Sequence, residues 1–99
     1  MSDEQQLLQA IFHLLGRQAF SETKLRETVI PRKSGGSSKQ LEAYNLCDGT
    51  KTQADIAKEA GLDPGNFNRT LSKWISTGIV VCLGEGRGAK LLHIYPLDD

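Results

Sequence analysis

Residues 52–78, "TQADIAKEAGLDPGNFNRTLSKWISTG", constrain the fold more than any other stretch, because local start and stop signals divide them into two short helices. Thr52 and Asp55 have capping-box spacing, with aspartate in place of the usual Glu or Gln. The helix that follows turns Ile56, Ala57 and Ala60 inward and stops at Gly61, which suits a left-handed C-cap. Asp63 is a strong N-cap, and Pro64 suits the first helical position, where its missing N–H would have no intrahelical partner. At helical period, Phe67, Leu71, Trp74, Ile75 and Gly78 share one face. Gly65, Asn66, Arg69, Ser72, Lys73 and Ser76 share the opposite one, with Asn68 on the flank. Gly61-Leu62 supplies the tight turn that a helix-turn-helix requires.

Upstream, residues 3–16 place Leu7, Leu8, Ile11, Phe12, Leu14 and Leu15 in one arc, with Gln5, Gln6, Gln9 and His13 elsewhere, and predict an amphipathic helix. Ser21 is the expected N-cap of a second short helix carrying Leu25 and Val29 and stopped by Pro31. "PRKSGGSSK" reads as a flexible basic linker, since glycine and serine favour an unstructured chain and nothing apolar anchors it. A helix over residues 38–48 has Leu41, Ala43, Tyr44, Leu46 and Cys47 over most of its circumference, leaving Glu42 and Asn45 as a polar edge. It is expected to be central and buried, and Asp48-Gly49 to end it. After Gly78, the strand-like runs Ile79–Leu83 and Lys90–Tyr95 flank "GEGRG" and predict a β-hairpin with a mobile tip. The expected architecture is mainly α with a C-terminal β-hairpin. It divides into an N-terminal helical segment (1–30), a linker (31–37) and a compact unit (38–97).

Twelve basic and twelve acidic side chains cancel, so any nucleic-acid binding must rest on local charge placement. That placement is uneven: residues 31–39 carry Arg32, Lys33 and Lys39 with no acid. The longest apolar run, Ile79 to Leu83, is far short of the ~18 residues that suggest a membrane span. No basic region followed by an apolar stretch opens the sequence, and a soluble cytoplasmic protein is expected. Cys47 and Cys82 lie far apart without C-x-x-C spacing, which suits buried reduced thiols better than a disulfide framework. Nothing in their spacing brings them together with His13 and His93 as zinc ligands.

"GEGRGA" formally fits the dinucleotide fingerprint G-x-G-x-x-G/A, but that motif must open a helix inside a βαβ unit. Here a short apolar run ended by Pro96 follows it. No cofactor is expected. The chain has no G-x-S-x-G, H-E-x-x-H or G-x-x-x-x-G-K-[ST] and no paired acid and base in a recognisable frame, so catalysis is not expected either.

An exposed helix face with two amides, an arginine and a lysine suits DNA, since Arg pairs with guanine edges or phosphate and Asn with adenine. The helix N-terminus adds a site for phosphate. "TQADIAKEAGLDPGNFNRTLSKWISTGIV", residues 52–80, resembles the helix-turn-helix core of bacterial and archaeal winged-helix regulators of the MarR and ArsR type. Ile56-Ala57, Gly61-Leu62, Asn68-Arg69-x-Leu71 and Gly78-Ile79-Val80 carry the resemblance, which extends from Ser38 to Leu97.

The resemblance implies a winged helix-turn-helix domain in a sequence-specific, double-stranded DNA-binding transcriptional regulator. Its recognition helix, 64–78, would enter the major groove, and its wing, 79–95, would lie on the adjacent backbone or minor groove. Residue by residue, Asn66, Asn68, Arg69 and Lys73, with Gly65 beside them, would face the major groove or its flanking phosphates. Thr52 and Gln53 would approach a phosphate from the preceding helix, and Arg87 and Lys90 would reach the backbone or minor groove from the wing.

The sequence departs from these families in two respects. Thr52-Gln53-Ala54 replaces the cysteine-x-cysteine metal site of arsenic and cadmium sensors, and no C-terminal dimerisation helix follows the wing. Metal sensing is therefore not implied, and a homodimer would need the N-terminal helices. Leu7, Leu8, Ile11, Phe12 and Leu15 form either a homodimer seam or a surface that packs onto the rest and completes a small core. The alternative function is a protein–protein interaction adaptor of the same fold without DNA binding, for which zero net charge is natural.

Overall fold

The computed structural model describes residues 3–30 and 37–97, the side chains of residues 37 and 38 excepted. The chain is mainly helical, with α1 (Asp3–Ala19), α2 (Glu22–Val29), α3 (Ser37–Asn45), α4 (Gln53–Ala60) and α5 (Pro64–Thr77). Three strands, β1 (Asp48–Thr52), β2 (Val80–Leu83) and β3 (Lys90–His93), form an antiparallel sheet in the order β1-β3-β2. The linker expected over 31–37 lies outside the described residues except at 37, where α3 opens.

The punctuation of α4 and α5 follows from local chemistry. Thr52 Oγ1 accepts the Asp55 N–H at 3.3 Å while Asp55 Oδ2 accepts the Thr52 N–H at 3.5 Å, a reciprocal capping box. Gly61 ends α4 at φ 70° and Gly78 ends α5 at φ 91°, backbone angles that a residue with a Cβ adopts only with strain. Between them Asp63 Oδ2 accepts the Asn66 N–H at 3.0 Å and Pro64 opens α5.

The inner face of α5 builds the centre of the core. Phe67, Leu71 and Trp74 are buried, and the Trp74 ring meets Tyr44 edge-on at 5.6 Å and Phe67 at 6.0 Å between centroids. Ile75, expected on this face, is 41 % exposed, because it lies at the margin of the arc and turns outward. Opposite α5, α3 buries Leu41, Ala43 and Tyr44 in the core, with Leu46 half-buried and Cys47 buried just past the helix end. It ends at Asn45 rather than at 48. The Asn45 amide donates to the Leu97 carbonyl at 2.7 Å and accepts the Leu97 N–H at 2.9 Å, while the Tyr44 hydroxyl donates to the Tyr95 carbonyl at 2.6 Å. These bonds strap the segment after β3 across α3.

The expected two-stranded hairpin is a three-stranded sheet. The stretch following α3 pairs with β3, with Asp48 opposite Leu92 and Thr52 opposite Lys90, so the ladder bulges between these pairs. Gly49 supplies φ 90° there, and the Asp48 carboxylate accepts the Thr50 N–H at 2.9 Å. "DGTKT" has no apolar alternation, so its strand character comes from the partner strand and not from its own composition.

Both N-terminal helices differ from a separable appendage. In α2, capped by Ser21 as predicted, Leu25 and Val29 are fully buried in the same core as Tyr44, Ile56 and Trp74. The first helix docks by a stripe that takes Phe12 alone from the expected apolar arc and Gln9 and His13 from outside it, so the leucines do not pack onto the body. Gln9, Phe12 and His13 are half-buried and Gly16 is buried, and these positions recur at helical spacing as the stripe facing the body. His13 Nδ1 donates to the Ile94 carbonyl, and the Arg17 guanidinium lies 4.5 Å from the Tyr95 ring centroid. Consequently Leu7, Leu8, Ile11, Leu14 and Leu15 are all exposed.

Candidate nucleic-acid interface

Helical period alone sets the outer face of α5. Asn66, Arg69 and Lys73 follow at i, i+3 and i+7 and are all exposed, and the helix contains no acidic residue. Among the described residues, Arg69, Lys73 and Arg87 have no ion-pair partner. Asp55, Glu59 and Asp63, which cancel Lys58, Arg69 and Lys73 over residues 52–78, all lie outside α5, so the cations of α5 are segregated on its surface.

Asn68, on the flank, accepts a hydrogen bond at 3.0 Å from Gln53 Nε2 in the first turn of α4. That bond crosses from α4 to α5 and couples two of the expected contact residues. The Thr52 hydroxyl is committed to its cap, leaving its second lone pair and its proton for any outside group. Gly65 is exposed, and a Cβ there would lie 3.3 Å from Asp63 Oδ2.

The phosphate site expected at the N-terminus of α5 is already occupied in part. Asp63 takes the Asn66 N–H and sets a carboxylate at the positive end of the helix, so an arriving phosphate would meet a like charge there.

The "GEGRGA" stretch forms the β2–β3 connection, with a single 3-10 turn at Gly86–Gly88 and positive φ at Gly84 and Gly86. Arg87 at this tip is exposed. It shares a groove of about 370 Å³ with Gln53, Ala54, Pro64 and Cys82, so the tip, the start of α4 and the start of α5 frame one recess. Lys90 is not brought to that recess. Strand alternation turns it to the other sheet face, where it lines a groove of about 500 Å³ with Leu8, Phe12, Val81, Leu83 and Leu92.

Two features of the surface were not expected. Cys82 is exposed in the recess, contrary to the pair of buried thiols anticipated, because the apolar run Ile79 to Leu83 buries one end and exposes the other. Cys47 is fully buried, and burial pushes its thiol up to about 12. Second, the fold brings His13 and His93 together, their ring centroids 6.1 Å apart, although nothing in their spacing suggests it. His93 is 5 % exposed, donates from Nδ1 to the Tyr44 carbonyl at 2.9 Å and stacks on the Tyr44 ring at 5.1 Å. Both imidazoles therefore serve packing and backbone bonds; among the described residues no three His, Cys, Asp or Glu side chains are placed to hold a metal ion.

No family model, curated protein or solved structure matches the chain. Among the described residues no helix is long and apolar enough to cross a membrane.

Proposed function

We propose that the chain is a winged helix-turn-helix transcriptional regulator that binds double-stranded DNA, with α5 in the major groove and the β2–β3 connection on the adjacent backbone or minor groove. The observation that supports this reading best is the stripe of Asn66, Arg69 and Lys73: exposed, free of acids, and carried on a helix whose opposite face is locked in the core. Arg69 suits a guanine edge or a phosphate, Asn66 an adenine edge, and Lys73 a flanking phosphate. Gln53 acts through Asn68, and Arg87 supplies the contact from the tip. A cytoplasmic location belongs to the same reading. A homodimer through the N-terminal helices belongs to it as well, because two recognition helices double the contacts to one duplex.

Selection from a random duplex library, followed by a salt titration of the enriched sequence, tests the proposal. Binding should yield a motif and weaken linearly on a log–log salt plot. Arg69→Ala and Asn66→Ala should each cost about 1–3 kcal/mol of binding, Asn66→Ala also relaxing base preference, while Arg87→Ala weakens all duplexes alike. No enriched motif and no salt-dependent duplex binding would leave the second reading, an interaction adaptor, which the zero net charge favours.

A further inference from the structure

We infer that α1 is the interface for a second copy of this chain, paired antiparallel about a two-fold axis at Ile11. The exposed leucine stripe lies on the order of 150° around the helix from the Gln9, Phe12, His13 and Gly16 stripe that holds α1 to the body, so docking leaves it free. Leu7, Leu8, Ile11, Leu14 and Leu15 are 62 %, 65 %, 45 %, 60 % and 58 % exposed, a contiguous apolar patch on one helix.

The order of these residues is a palindrome. Read in either direction from Ile11, the apolar positions fall at the same distances, so reversing the helix superimposes the stripe on itself. An isologous two-fold interface requires that self-complementarity. Antiparallel pairing sets Leu7 beside Leu15 of the second copy, Leu8 beside Leu14, and Ile11 beside Ile11, with Glu4 and Gln18 closing each end.

Charge selects the same orientation. The first turn carries Asp3 and Glu4, so the antiparallel pair keeps the two acidic turns at opposite ends and opposes the helix dipoles. A parallel pair stacks acid on acid. Leu8 also walls the groove against Leu83, which is 40 % exposed, extending the apolar surface beyond the helix.

Sedimentation of the full chain without nucleic acid should show a concentration-dependent dimer, so the outcome is independent of duplex binding. Ile11→Glu, which sets two carboxylates face to face on the axis, should raise the dimer dissociation constant at least about a hundredfold. Because Ile11 is exposed in the single chain, that variant should keep its helical circular dichroism. Orientation is read by oxidation in a Cys82→Ser background. Ile11→Cys should link to itself, and Leu8→Cys should link to Leu14→Cys when the two are mixed but not to itself. A monomer at the highest soluble concentration, or self-linking of Leu8→Cys as readily as of Ile11→Cys, would overturn the proposal.

Discussion

Gly16 of α1 lies so close to Ile94 that a Cβ added to it would sit 2.6 Å from the Ile94 Cβ. The glycine is there for close approach and not for its backbone freedom, since α1 is regular helix through this position. It lets His13 reach the Ile94 carbonyl and Arg17 lie over Tyr95.

Gly16→Ala is accordingly expected to lift α1 from the body. Overpacking of this kind costs about 1–3 kcal/mol, and alanine's better helix propensity returns at most about 1 kcal/mol. The net effect should be a lower thermal midpoint. Faster proteolytic removal of α1, read by mass spectrometry, would locate the loosening, whereas an unchanged digestion pattern would mean that Gly16 is not a contact point.

Trp74→Ala should unfold the domain. The indole is 2 % exposed between Tyr44 and Phe67, and removing it costs about 3–5 kcal/mol against a total stability of about 5–15 kcal/mol for domains in general. Since Trp74 is the sole tryptophan, urea unfolding of the variant must be followed by circular dichroism and not by indole fluorescence. A midpoint close to that of the parent would contradict the placement of this ring at the centre of the core.

His93 should make the fold sensitive to mild acid. Burial pushes its imidazole below the ordinary value, the bond to the Tyr44 carbonyl opposes that shift, His13 adds to it and Asp48 opposes it. With the folded pKa below the unfolded value of about 6.5, the unfolded chain takes up the proton first. Stability is therefore complete above about pH 6.5 and is lost as pH falls from there toward the folded pKa. His93→Asn keeps a donor near Tyr44 but cannot be protonated, and its urea midpoint should fall less over that window than the parent's. Asp48 acts in the same direction at lower pH. Burial raises its carboxyl, but hydrogen bonds from Thr50 and Lys51 outweigh that and hold it low, so its contribution is present above about pH 3.9 and disappears as pH falls through the folded pKa.

What is legible in the sequence divides by the range of the forces involved. The ends of α4 and α5 are readable because Thr52 with Asp55, Gly61, Asp63 with Pro64, and Gly78 act within one turn of their own positions. The exposure of Asn66, Arg69 and Lys73 is readable for the same reason, since helical period and a buried Trp74 determine it. β1 is not readable, because "DGTKT" becomes a strand only by pairing with β3. Nor is the docking face of α1. Amphipathicity leaves its leucines equally suited to a dimer seam or to the body, and the body receives Phe12, His13 and Gly16 instead, through tertiary contacts with Ile94 and Tyr95 that no local pattern encodes. Arg87 and Lys90 part company because Lys90 opens β3, where alternation turns it to the other sheet face, whereas Arg87 sits in the turn before that strand.

The bond from Gln53 to Asn68 offers a test of how the two helices hold each other. It is exposed to solvent and neutral, so it belongs at the lower end of the usual range, about 0.5–1 kcal/mol. In a cycle of Gln53→Ala, Asn68→Ala and the double variant, urea unfolding without DNA should give a coupling of that size. Replacing Asn68 by Arg69 in the same cycle should give none, because Arg69 points away from α4 around the helix. If the proposed duplex contact also holds, Gln53→Ala should weaken duplex binding less in the Asn68→Ala background than in the parent, since part of its effect is to aim Asn68. Strict additivity in both measurements would instead make Gln53 and Asn68 independent surface amides and remove Gln53 from the interface.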